Sequence, residues 1–301
     1  MSASDCGVLS FCPSVVYGNL WSTCSTFLLQ LLGFDVSNIN SVQFSNHTSY
    51  KVFRGQVLDD KDVSELYDGL KSNNLLDFSH ILTGYVGSKS FLEKVAEIIK
   101  DIRSCNPNLV YVCDPVMGDN GKMYVPEDLL PVYRDLIIPL ADIITPNQFE
   151  LELVTGITVK SAQDAIKGID ILHGKGVKTV VLSSGLLADD GKLMCIASTD
   201  NGSSKERYKI EIPYLPEKFV GTGDLFAAAM LAWMHKDKNL KLAFEKTLAV
   251  VQAVIKRTVE HAKDAARNGK PSTPAHMELR LIQSKSDIEN PNITYTAVPI
   301  S

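Results

Sequence analysis

No lysine or arginine occurs before Lys51. A secretory signal needs a positively charged start ahead of its apolar run. The opening VLSFCPSVVYGNLWSTCSTFLLQLLGF (Val8 to Phe34) therefore reads as the first strand, turn and helix of a folded domain. Polar residues and proline interrupt it, and no stretch reaches the roughly 18 apolar residues of a membrane span. No membrane contact is expected, and the expected compartment is the cytoplasm. The six cysteines (Cys6, Cys12, Cys24, Cys105, Cys113, Cys195) form no CxxC pair, and the six histidines form no HxxxH pair. Both absences argue against structural zinc and suit reduced thiols. Positive charge is also short: 30 Lys and Arg against 35 Asp and Glu leave a net charge of −5. A nucleic-acid partner, which needs a clustered basic surface, is not expected. Phosphorylated small molecules stay open, because backbone N–H groups and metal ions can hold them.

What is present is a core. Of 301 residues, 45% are hydrophobic and 22% charged, enough for one α/β domain over residues 1–301. Strand-like and helix-like segments alternate. GVLSF is a short apolar run; Ser25 to Leu32 reads as helix, ended by Gly33. VSNINSVQFS reads as strand, Val63 to Ser72 as helix and HILTGYV as strand. Ser90 to Arg103 places Leu92, Val95, Ile98, Ile99 and Ile102 on one helical face. LVYVCDPV, ADIITPN and TVVLSS are apolar, β-branched runs of the kind buried on both faces. A helix follows from about Gln148, another spans Gly221 to Met234, and Lys241 to Ala266 is a long helix or helix pair. Leu186 to Lys218 reads as a hairpin with an exposed loop, in which Lys205 and Arg207 form a solvated charge cluster. This alternation implies a largely parallel sheet with helices on both faces, binding ligands beyond the carboxyl ends of its strands.

The polar residues after those runs should therefore converge: Asp114 and Asp119, Thr145 and Asn147, Ser183 and Ser184, then Gly221 to Asp224. The set is acidic and hydroxyl-rich, as a metal–phosphate site requires. VGTGDLFAAAMLAW carries the clearest signal. Gly221 and Gly223 let a phosphate come close, and the following helix start offers free N–H groups. Asp224 beside that cradle can accept a proton from an attacking hydroxyl. Structural alternatives stand beside each reading. Asp224 could simply start its helix, Thr145-Pro146-Asn147 could cap the next one, and Glu150 could be its first-turn carboxylate. His47, alone on a loop, reads as structural.

Gly-Thr-Gly-Asp before a small-residue helix resembles the anion hole and base of the ribokinase superfamily. NSVQFSNHT (Asn40 to Thr48), LTGYVGS (Leu82 to Ser88), YVCDPVMGDNGKMYVP (Tyr111 to Pro126) and ITPNQFELELVTG (Ile144 to Gly156), in this order and spacing, are similar to the pyridoxal kinases of that superfamily. The likeness continues to LRLIQSKSDIENP (Leu279 to Pro291). It implies a ribokinase-like three-layer sandwich, a homodimer, and transfer of the ATP γ-phosphate to the 5′-hydroxyl of pyridoxal, pyridoxine or pyridoxamine in vitamin B6 salvage. By the resemblance Asp224 is the base, and Gly221, Thr222 and Gly223 stabilise the transferring phosphoryl group. Asp119 and Glu150 lie near the Mg²⁺ of ATP, directly or through water. Asp114 and Thr145 help hold a monovalent cation (K⁺ or Na⁺) and the phosphates. Asn147 and Ser184 contact ATP phosphates with Ser183 close by, and Thr48 and Tyr85 line the pyridoxal pocket.

The opening departs from the family pattern, a strand ending Ser-x-Gln-Ser-His and then a Gly-Tyr-Val-Gly-Asn turn. Here Cys12 stands at the Gln, Pro13 at the second Ser, Ser14 at the His, and GNLWS (Gly18 to Ser22) at the turn. Pro13 has neither hydroxyl nor N–H to offer; Ser14 offers a displaced hydroxyl, and Cys12 a thiol toward the pyridoxal aldehyde. Trp21 replaces a glycine. Three accounts follow: a working pyridoxal kinase with a remodelled pocket, a kinase of another alcohol, or a catalytically impaired regulatory or dimerising partner. The intact segment from Asp114 to Asp224 favours the first.

Overall fold

Alternation of side chains decides which face of each strand meets which layer. In β1 (Gly7–Val15), Val8 and Cys12 join one buried cluster while Leu9 and Phe11 join another. The same alternation runs through β4 (His80–Thr83), β5 (Val110–Cys113), β8 (Ile143–Ile144) and β9 (Thr179–Leu182). These strands and β2 (Asp35–Phe44) form the parallel centre of a ten-stranded sheet. Antiparallel strands flank it: β3 (Gly55–Val57) beside β2, and β10 (Lys192–Asp200), β11 (Lys205–Pro213) and β12 (Val298–Pro299) beyond β9. The structure is a computed structural model that describes residues 6–187, 190–217, 219–267 and 273–301.

One face of the sheet carries α1 (Ser22–Leu31), α7 (Thr222–Asp237) and α8 (Leu240–Arg267). The other carries α2 (Asp60–Ser72), α3 (Lys89–Cys105), α4 (Leu129–Val132), α5 (Gln148–Thr155) and α6 (Ala162–Gly174). A short α9 (Lys285–Glu289) docks on α8, and a small hairpin, β6 (Gly118–Asp119) with β7 (Lys122–Met123), follows β5. The result is the mixed α/β three-layer sandwich expected from the sequence.

Differences from the sequence reading have local causes. Helix α2 starts at Asp60, three residues before the predicted Val63, because Asp59 and Asp62 form a capping box. Helix α6, capped by Ser161, has no counterpart among the elements expected from the sequence. In the run HILTGYV the strand ends at Thr83; the Gly84 N–H still donates to the Phe11 carbonyl at 3.1 Å, and Tyr85 lies past the strand end. Lys241 to Ala266 lies in one helix rather than a pair. Leu186 to Lys218 does contain a hairpin, β10 with β11, although Ala188, Asp189 and Lys218 lie outside the described residues. Lys205 and Arg207 sit on β11 and pair with Asp170 of α6 at 2.6 and 2.5 Å. Pro13 falls where the β1–β2 register slips, between Cys12 and Ser14, so its missing N–H interrupts no regular ladder. Among the described residues no helix is long and apolar enough to cross a membrane.

Candidate active site

The carboxyl ends of β4, β5 and β8 meet the start of α7. Helices α2, α3, α5 and α6 begin under side-chain caps, but α7 begins at Gly221 with none. Its first N–H groups therefore remain open toward the site. Gly221 sits at φ 90°, and a Cβ there would come within 2.8 Å of Leu20 Cβ. Both the conformation and the approach require glycine. Gly223 lies so close to Asp114 that a Cβ would stand 3.3 Å from Oδ2.

Asp224 is buried in the first turn of α7. Desolvation pushes its carboxyl up from 3.8 to about 7, opposed by N–H groups of Trp21 and of Asp224 itself, which it accepts. The carboxyl faces Gly84, where a Cβ would lie 3.5 Å from Asp224 Oδ1 and 3.1 Å from Cys12 Sγ. Asp114 is raised well above the usual carboxylate range by burial, then by the charges of Glu150 and Asp224; the Thr145 hydroxyl, donating to Oδ1 at 3.2 Å, acts the other way.

Glu150 and Asn147 form a capping box on α5, so the structural alternative read from the sequence is realised. Glu150 Oε2 accepts the Asn147 N–H at 2.9 Å, and Oε1 accepts the Met117 N–H at 3.0 Å. Burial nonetheless lifts its pKa to about 7. Asn147 Nδ2 donates to the Gly118 carbonyl at 2.8 Å, binding α5 to the β6–β7 hairpin that carries Asp119. Ser183 donates to the Pro146 carbonyl at 3.3 Å, and the Ser184 carbonyl accepts the Gln148 N–H at 2.9 Å. The strand ends thus bring together Asp114, Asp119, Thr145, Asn147, Glu150, Ser183, Ser184 and the turn from Gly221 to Asp224.

The opening loop is less regular. Trp21 caps α1 at φ 55°, ψ −129°, a region open to glycine that costs another residue about 1–3 kcal/mol. Trp21 is 8% exposed, in a cluster with Val15, Leu20, Val42 and Phe44. The indole stacks on Tyr85 with centroids 6.0 Å apart and planes 15° apart. Glu278 latches this loop from the far end of the chain: its carboxylate accepts the Asn19 N–H at 3.2 Å and the Tyr50 hydroxyl at 2.9 Å, and faces His47 Nε2 at 3.2 Å. His47, read from the sequence as a structural residue, thus has Glu278 as a partner. Thr48 stands exposed beside it, and Ser14 is half-buried in β1. Among the described residues neither side chain makes a hydrogen bond within the chain. Burial drives the Cys12 thiol up to about 12, so it stays protonated and unreactive toward an aldehyde. Sequence reasoning missed the Trp21 N–H on Asp224 and the Glu278 latch; neither has a local sequence signal, whereas the Asn147-x-x-Glu150 spacing signals its box.

The family model described as phosphomethylpyrimidine kinase matches residues 31–268. Pyridoxal kinase from Sus scrofa is 49% identical over 98% of this chain and 95% of its own. Pyridoxal kinase from Arabidopsis thaliana is 47% identical, again over 98% and 95%. The chain belongs to the pyridoxal kinase family. Its fold superposes on the pyridoxal kinase of Leishmania donovani in complex with ADP and pyridoxamine, with a TM-score of 0.92 and 34% identity, covering 99% of this chain and 100% of that one.

The donor set suits cations in a pyridoxal kinase. Among the described residues Asp114, Asp119, Glu150 and Asp224 form no ion pair, and burial raises Asp114, Glu150 and Asp224 above the usual carboxylate range, so a bound cation would favour their ionised forms. Nor do three His, Cys, Asp or Glu side chains among those residues converge on one point. A Mg²⁺ that keeps waters and phosphates as ligands would need only one or two of these carboxylates. A separate cavity of about 520 Å³ opens between His80, Ile143, Thr179, His235 and Lys238, and none of the predicted site residues lines it.

Proposed function

We propose that this chain transfers the γ-phosphoryl group of ATP to the 5′-hydroxyl of pyridoxal, pyridoxine or pyridoxamine, giving pyridoxal 5′-phosphate from pyridoxal. The observation that carries it is Asp224: a buried carboxyl poised near 7, at the uncapped start of a helix, facing Gly84 at the end of β4. Asp224 takes the proton of the acceptor hydroxyl as that oxygen bonds to the γ-phosphorus. The bond from phosphorus to the bridging oxygen breaks, and ADP leaves. The open N–H groups of Gly221, Thr222 and Gly223 balance charge on the moving phosphoryl group, where positioning and electrostatics do most of the catalysis.

Asn147, Ser183 and Ser184 line the ATP phosphates. Asp119 and Glu150, directly or through water, would hold a Mg²⁺ that would neutralise charge on those phosphates. Asp114 and Thr145 would help hold a monovalent cation, K⁺ or Na⁺, and the phosphates. Tyr85 and Thr48 bound the acceptor pocket, with Ser14 at its rim. Residues 1–301 act as one kinase domain, as a cytoplasmic homodimer without membrane or nucleic-acid partners; light scattering tests the dimer.

Steady-state kinetics with pyridoxal and Mg-ATP, beside calorimetric ATP binding, test the function. Robust turnover supports it. ATP binding without turnover of any B6 vitamer overturns it in favour of another alcohol, and binding of neither ligand leaves a partner role.

A further inference from the structure

Trp21 sits at the junction of three contacts. Its N–H is near enough to the Asp224 carboxyl to oppose the rise in its pKa, its backbone occupies a conformation that suits glycine, and its indole lies on the Tyr85 ring. Residues hold such conformations only where their surroundings over-determine them, and such places cluster at functional sites. Here the surroundings are the ring contacts: Phe44 meets the indole edge-on at 6.4 Å, and Val15, Leu20 and Val42 enclose it.

Space beside the base is limited by the same residues. Gly84 stands against Asp224 Oδ1, and the next residue, Tyr85, faces Trp21. An acceptor hydroxyl that reaches Asp224 therefore brings its own ring alongside Tyr85. A flat ring inserted between two others needs about 7 Å between their planes, two carbon–carbon contacts of roughly 3.5 Å. The Trp21 and Tyr85 centroids are only 6.0 Å apart, so no ring fits between them.

We propose that the Trp21 indole is a specificity-determining gate: it occupies the acceptor ring's place on Tyr85, and the acceptor binds by displacing it. The claim rests on the B6-kinase reading above. The displacement concerns the side chain alone; the Trp21 backbone stays at the start of α1. The gate taxes every flat acceptor, because ring binding must first break the Trp21–Tyr85 stack; ATP, assigned above to Asn147, Ser183 and Ser184, escapes the tax.

Trp21→Gly keeps the N–H, suits the positive φ and removes the ring. The expected result is a KM for pyridoxal lowered about tenfold, with the KM for ATP unmoved, while Trp21→Phe stays near the parent. A second measurement leaves Trp21 intact. The chain has two tryptophans, Trp21 and Trp233, so Trp233→Phe leaves Trp21 as the reporter. With ADP bound, adding pyridoxine should raise acrylamide quenching of Trp21 as the indole leaves its cluster. A KM for pyridoxal unchanged or raised in Trp21→Gly, in a protein that turns pyridoxal over, overturns the gate and leaves the B6 reading standing. Unchanged or reduced quenching on adding pyridoxine to a turnover-competent protein overturns it equally. If parent and Trp21→Gly both bind ATP and neither phosphorylates a B6 vitamer, the B6 reading fails, and the gate with it.

Discussion

Replacing Asp224 with asparagine should make the ligand-free protein more stable and nearly inactive, and the pH dependence of both effects is calculable. Burial moves the carboxyl from 3.8 to about 7. At 1.36 kcal/mol per pH unit, keeping it ionised at pH 8 costs the folded state roughly 4 kcal/mol. Because the folded value lies above the unfolded one, this group's penalty is absent below about pH 4, where both states are protonated. The parent loses stability as pH rises through about 7. The asparagine side chain carries no charge, keeps an oxygen for the Trp21 N–H, and has no such dependence. The gain from Asp224→Asn should therefore be roughly 4 kcal/mol at pH 8 and roughly 1.5 kcal/mol at pH 5. Urea unfolding of parent and variant at those two pH values reads the difference directly. On the kinetic side kcat should fall by about 10²–10⁴-fold, the usual contribution of a positioned base. The parent's kcat/KM should drop about tenfold per pH unit below about 7, as the free enzyme's base is protonated. A variant no more stable than the parent at pH 8, an equal gain at both pH values, or near-normal kcat would refute the reasoning.

Glu278→Ala strands the Tyr50 hydroxyl and the Asn19 N–H, so it should cost about 1–3 kcal/mol in urea unfolding and raise the KM for pyridoxal more than that for ATP. Gly221→Ala places a Cβ 2.8 Å from Leu20 Cβ at φ 90°; kcat should fall at least tenfold, and wild-type kcat in that variant would remove the turn from the mechanism. Thr145→Val removes the hydroxyl that donates to Asp114, so activation by KCl, titrated against tetramethylammonium chloride, should weaken markedly; an identical salt curve would take Thr145 out of the cation site.

Much of the phosphoryl-transfer side was legible because its signals are local. Asn147 to Glu150 spells a capping box, and Gly-Thr-Gly-Asp spells a helix start with open N–H groups. The buried runs at 110–113, 143–144 and 179–182 place their following polar residues at one end of the sheet. The acceptor side was not legible in this way. Pro13 looks damaging in sequence, yet it sits at a register slip where the strand has no regular bond to lose. Trp21 looks like a simple obstruction, yet its N–H serves Asp224 while only its ring meets Tyr85. Cys12 looks available to an aldehyde, and burial removes its reactivity.

By itself the sequence determined the alternation of strands and helices, the family, and the helix start that carries Asp224, because periodicity, caps and glycine turns act over a few residues. Only the tertiary structure decided that Asn19 and Glu278, 259 positions apart, clasp the opening loop. It also decided that Trp21 closes on Tyr85 and that Asp224 is poised near neutrality. Those outcomes depend on desolvation and on contacts between distant segments, which arise only when the layers pack.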